Sequence, residues 1–111
     1  MKSRVFIPQQ PSRVDPDSGL LVPTHNIDAA KKYGDFVIML PPMATRLALA
    51  PLIEVMKEKM ADFNGEDYLL AMGDPSIIAA ASVIAHQKAG CLRMLKWDRR
   101  SFDYIDVRIS I

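Results

Sequence analysis

The sequence is poor in the residues that most often carry chemistry. Cys91 is its single cysteine, so no internal disulfide can form. The two histidines, His25 and His86, stand at no metal-ligand spacing from each other or from Cys91. There is no glycine-lysine phosphate loop and no glycine-flanked serine elbow. The dinucleotide pattern fails too, because "MGDPS" has one glycine where that pattern needs three. These absences leave no catalytic residue, metal or cofactor to assign. Charge of one sign is also lacking. Fourteen Lys and Arg stand against 13 Asp and Glu, so no net field draws nucleic acid, membrane or acidic partners. The most apolar segment, Ile77 to Ala85, is far short of the roughly 20 residues that span a bilayer. The stretch "MKSRVFIPQQP" has only a three-residue apolar run, too short for a signal-peptide core. The reading is a soluble, cytoplasmic protein with no membrane association.

What is present is the pattern of one small domain. The 111 residues are half hydrophobic and about a quarter charged. Residues 1–25 hold four of the eight prolines, which predicts a proline-rich N-terminal arm. A strand candidate, Arg4 to Ile7, precedes the extended part of that arm. Residues 26–111 read as a single α/β domain. "NIDAAKKYG" predicts a short helix capped by Asn26 or Asp28 and stopped by Gly34 in a left-handed conformation. "FVIML" and "YLLAM" are continuous apolar runs of the kind expected in strands covered on both faces. Pro51 suits the first position of a helix that presents Leu52, Ile53, Met56, Met60 and Phe63. A second, alanine-rich helix runs from Pro75 to Lys88 and closes at Gly90. Two alternating segments, 91–97 and 104–111, predict a terminal hairpin. The predicted fold is a small layered α/β sandwich, β-α-β-α-β-β, with a mixed sheet of four or five strands and a C-terminal antiparallel hairpin.

Two places stand out as candidate sites. In open α/β sheets, ligands bind beyond the carboxyl ends of the parallel strands. Here those ends lead into "LPPMATR" and "MGDPS", where Arg46, Gly73, Asp74 and Ser76 sketch a small nucleotide, phosphate or carboxylate site. Asp before Pro is also a preferred helix start, so Asp74 has a purely structural reading as an N-cap. Its carboxylate would then occupy the N–H groups an anion needs. The second place is "LKWDRRSFDY", where Lys96, Arg99 and Arg100 mingle with Trp97, Phe102 and Tyr104. Such a set can anchor a protein interface or hold single-stranded nucleic acid by stacking and phosphate contact. The bland alternative is that the aromatics cover a small core while Asp98 and Asp103 neutralise the arginines.

The succession "FVIMLPP", "DYLLAMGDPSIIAAASVIA" and "LRMLKWDRRSFDYIDVRI" is similar to small proteins of tailed bacteriophages, over roughly residues 33–111. The resemblance implies a phage origin and a host-cell cytoplasmic location, and it brings no catalytic residues with it. The combined reading is a non-enzymatic accessory protein that acts through a protein partner or through self-assembly. Single-stranded nucleic acid at the 95–104 hairpin, or a small ligand at the 40–46 and 73–76 loops, is the alternative.

Overall fold

A computed structural model describes residues 3–46 and 48–111, without the side chains of 45 and 46. In chain order the strands are β1 (Arg4–Gln9), β2 (Ser12–Val14), β3 (Leu21–Pro23), β4 (Asp35–Leu40), β5 (Tyr68–Leu70), β6 (Leu92–Asp98) and β7 (Asp103–Ile109). The helices are α1 (Leu49–Lys59) and α2 (Pro75–Ala89), with 3-10 helices at Asp28–Tyr33 and Pro42–Arg46. Five strands form one mixed sheet in the order β4-β1-β5-β6-β7. β4, β1, β5 and β6 run parallel, and β7 returns antiparallel to β6. The predicted α/β class, mixed sheet and terminal hairpin are therefore those of the molecule.

The expected N-terminal arm divides in two. Arg4–Gln9 is an interior strand of the sheet, second from its β4 edge, and Val5 through Gln9 are buried. Proline is out of place in a central strand because it cannot donate to the ladder. Pro8 escapes this by its register. It lies between the β4-paired positions Ile7 and Gln9, and beyond Phe6, the last position paired with β5. The segment after it, expected to be irregular, holds the separate antiparallel ribbon β2-β3.

The two faces of the sheet are covered unequally. On one, α1 and α2 pack together over Phe6, Met39, Leu69 and Leu92, burying Leu52, Met56, Ile77, Ala81, Ile84 and Ala85. Ala81 and Ala85 are fully buried, so small residues bring α2 close to the strands. On the other, the 3-10 helix at 28–33 and Ile27 just before it lie over Val5, Ile7, Tyr68, Leu70 and Leu95, the helix contributing Ala30 and Tyr33. That helix is tighter than the predicted α-helix. Its N-cap position is Ile27, which makes no side-chain cap bond, rather than the expected Asn26 or Asp28. Asn26, one residue earlier, accepts at Oδ1 from Asp28 N at 2.9 Å and shapes the turn that leads in. Gly34 plays a different part from a left-handed stop. Its φ is 152°, and a Cβ there would stand 2.2 Å from the Ser3 carbonyl oxygen, so glycine permits close approach to the chain entering β1. Pro51 is the third residue of α1 rather than the first, still within the turn whose N–H groups have no helical partner.

Opposite the strand ends that carry the candidate site, an ion-pair cluster holds the sheet. Asp67 is 2% exposed and accepts from Arg4 N (3.1 Å), Arg4 Nη2 (2.8 Å) and Asn64 N (3.1 Å). Arg4 Nη1 reaches Asp62 at 3.0 Å, and the guanidinium lies 4.9 Å from the Phe6 ring centre. Hydrogen bonding to Asp67 is the main reason the Arg4 pKa is raised further.

Candidate interaction cleft

The strand order reverses direction between β1 and β5, which makes their carboxyl ends the switch point of the sheet. Gln9, 2% exposed, fills this position. Its Nε2 donates to the Pro42 carbonyl at 2.9 Å and its Oε1 accepts from Asp74 N at 2.9 Å. One side-chain amide thus joins the two loops expected to hold a ligand between them. Gly73 packs against it with φ of 123°. Asp74 caps α2, with Oδ2 accepting from Ser76 N at 3.0 Å and from the Ser76 hydroxyl. The hydroxyl bond is the chief reason the Asp74 pKa is lowered. Gly73, Asp74 and Ser76 are together, as the sequence implies, but in bonds to Gln9 and to one another. The Arg46 side chain lies outside the described residues. Nothing in the sequence signals Gln9 as the joining residue, because its two partners lie 33 and 65 positions away.

The hairpin candidates separate onto two faces. Trp97 pairs with Tyr104 across the ladder, and Lys96 pairs with Ile105. Alternation along a strand puts neighbours on opposite faces, so Lys96 is not part of the Trp97 surface. The Trp97 and Tyr104 rings meet edge to face at 5.1 Å and 71°. Tyr104 is 4% exposed while Trp97 remains 44% exposed. Burial raises the Tyr104 pKa. Asp98 and Asp103 are engaged away from the arginines. Asp98 Oδ2 accepts from Ser101 N at 3.1 Å and Ser101 Oγ at 2.7 Å, which shapes the hairpin turn. Asp103 pairs with Lys32, and Tyr33 donates to the Tyr104 carbonyl at 3.1 Å, tying the hairpin to the 28–33 helix. At the turn, Phe102 has φ of 51° and is 77% exposed, beside exposed Arg99 and Arg100.

A cleft of about 610 Å³ opens where these parts meet. Trp97 and Tyr104 line it, with Met72 and Gly73 from the end of β5 and Thr24, His25 and Asn26 from the segment after β3. Gly73 and the Trp97 hairpin, two separate candidates in the sequence, therefore contribute to one concavity. The 24–26 segment was not among the predicted site residues. Its polar run after Pro23 is unremarkable until the fold brings it opposite Trp97.

Residues 3–111 match the family model described as Phage Pam3 gp32-like protein. The chain belongs to this phage protein family. The match takes in β1 and the β2-β3 ribbon, which the motif resemblance over roughly residues 33–111 left out. No curated protein and no solved structure matches the chain. Among the described residues, no helix is long and apolar enough to cross a membrane. Among the same residues, no group of three or more His, Cys, Asp or Glu could hold a metal ion.

Proposed function

We propose that this member of the phage family is a non-enzymatic accessory module that binds a protein partner through the Trp97 cleft and the adjoining hairpin turn. Phe102 carries the reading. A bulky residue in the left-handed region costs about 1–2 kcal/mol, and this one leaves most of its ring in water. The left-handed backbone closes the four-residue turn between Asp98 and Asp103, a place glycine or asparagine would fill with less strain, and the exposed ring adds nothing to that turn. Against a partner, an exposed aromatic flanked by Arg99 and Arg100, next to a half-exposed Trp97, has the composition of an interface centre. Strained residues gather where binding needs them.

A small-ligand reading rests on the cleft itself, whose volume and position at the strand ends suit a compact planar molecule stacked on Trp97. An anion at the start of α2 fits less well, since the Asp74 carboxylate already accepts from Ser76 N.

The test compares capture of partners from phage-infected cell lysate by the wild type and by Phe102→Gly and Trp97→Ser variants. Phe102→Gly is expected to keep or raise the melting temperature while reducing capture of a specific protein. Equal capture by all three excludes the hairpin as the binding surface. Trp97 is the only tryptophan. A shift of its emission with a nucleotide or single-stranded oligonucleotide, without any captured protein, would favour the ligand or nucleic-acid reading instead.

A further inference from the structure

The sheet ends at β7, beside which no further strand lies among the described residues. An open edge is a template for pairing, and proteins usually blunt it with lysine, proline or a bulge. β7 has none of these. Its seven residues contain no Lys or Pro, and its ladder to β6 runs without interruption from Leu92–Ile109 to Asp98–Asp103. Its helix-side face is apolar, with Ile105, Val107 and Ile109 in alternation. That face borders an open apolar groove of about 460 Å³ between α2 and the hairpin, lined by Val83, Leu92, Met94 and Ile109. Val83 is 56% exposed and Ile105 38%.

We infer that the partner of this edge is the β7 strand of a second copy, paired antiparallel about Val107. In that register Ile105 meets Ile109 of the other copy, Val107 meets Val107, and Asp106 meets Arg108, each unlike pair occurring twice. Apolar residues fall opposite apolar ones on the helix side, and opposite charges meet on the other side, an arrangement that stabilises cross-strand pairs. Moving the centre to Asp106 sets the two aspartates against each other, as does parallel in-register pairing. The single chain also leaves Arg108 in need of a counter-charge. It stands opposite Arg93 in the ladder and reaches Cys91 Sγ at 3.6 Å, while Asp106 bonds Arg93 at 3.2 Å. Like charges directly opposite are unfavourable, and the second copy's Asp106 relieves this at both ends of the seam. The interface is isologous, as closed two-fold dimers require. Its paired residues, Ile105 to Ile109, line no part of the Trp97 cleft, so it is tested independently of the proposed partner binding.

The test is sedimentation of the full chain under reducing conditions, which keeps a Cys91 disulfide from imitating the dimer. The wild type is expected to sediment as a dimer. Arg108→Asp, which leaves the Arg93–Asp106 bond intact, is expected to weaken self-association by about tenfold or more. Asp106→Arg should do the same. Mixing the two variants should restore a dimer, because the two arginines of one then face the two aspartates of the other. A wild type that stays monomeric at high concentration overturns the inference. So does a dimer that Arg108→Asp leaves unchanged, which would place self-association on another surface. Circular dichroism of each variant checks folding, and the mixing experiment reads out only if both are folded; should Asp106→Arg unfold, Arg108→Asp alone decides.

Discussion

Gln9 and Gly73 are shaped for each other. A Cβ placed on Gly73 would stand 2.8 Å from the Gln9 Cβ and 3.1 Å from its Oε1, the atom that accepts from Asp74 N. The Gly73 backbone is also in a region L side chains rarely adopt. Gly73→Ala is therefore expected to cost about 1–3 kcal/mol through strain. Gln9→Ala should cost about 1–3 kcal/mol by stranding the Asp74 N–H and the Pro42 carbonyl. Gln9→Ala keeps the Cβ that the new methyl would meet at 2.8 Å and removes the Oε1 it would meet at 3.1 Å, so the double variant should be less damaged than the sum of the two by that second contact alone. Urea denaturation of all four proteins measures the coupling, and strict additivity would show that the two residues do not act on one another.

The Arg4–Asp67 pair should matter far more than Arg4–Asp62. Asp67's side chain is 1% exposed, Asp62's is 75%. Arg4→Ala leaves a buried carboxylate without its guanidinium and is expected to cost about 2–4 kcal/mol. That is at or below the usual range for a broken buried pair, since the Arg4 side chain is itself 28% exposed. Asp62→Ala should cost less than about 1 kcal/mol. Similar losses for both, by the same denaturation measurement, would contradict the burial argument.

The Lys32–Asp103 pair gives the hairpin a dependence on pH. The hydrogen bond from Lys32 is the leading reason the Asp103 carboxyl lies below its ordinary value of 3.8. A depressed carboxyl contributes stability that is present above 3.8 and lost as pH falls through its lower native value. Asp103→Asn removes that contribution. Its melting temperature should lie below the wild type's at neutral pH, and the gap should close on acidification from about pH 7 to about pH 2. A gap independent of pH would mean that the ion pair is not its source.

The elements that announce themselves locally were legible in the sequence. Asp74-Pro75 and Gly90 bracket α2 because caps act over a few residues. The alternation from Leu92 to Ile109 assigns each hairpin residue to a face. "FVIML" reads as a strand because it is apolar throughout. The interior of the sheet was harder to read. Arg4 to Ile7 reads as a strand, but four prolines in the first 25 residues set it in an arm apart from the domain, and only the register against β4 and β5 shows how Pro8 is tolerated inside the sheet. The cleft was half visible. Trp97, Tyr104 and Gly73 stand out by type, yet their proximity depends on parallel pairing across distant segments. Gln9 and the Thr24–Asn26 run carry no local mark of their role. Conversely Lys96 belongs with Trp97 in sequence but parts from it in space, through the two-residue period of the strand.

The placement of β1 also bears on how the chain can fold. β1, an interior strand flanked by β4 and β5, is synthesised before either of its neighbours. Its β4 pairing needs Asp35–Leu40, and its β5 pairing waits for Tyr68–Leu70, more than 60 residues later. Contacts of that separation carry a loop-closure cost before they return any stability, and they slow folding. Until β5 arrives, the apolar run Val5–Phe6–Ile7 has no partner on that side. The nascent chain must keep this segment from pairing elsewhere while the rest of the sheet is made.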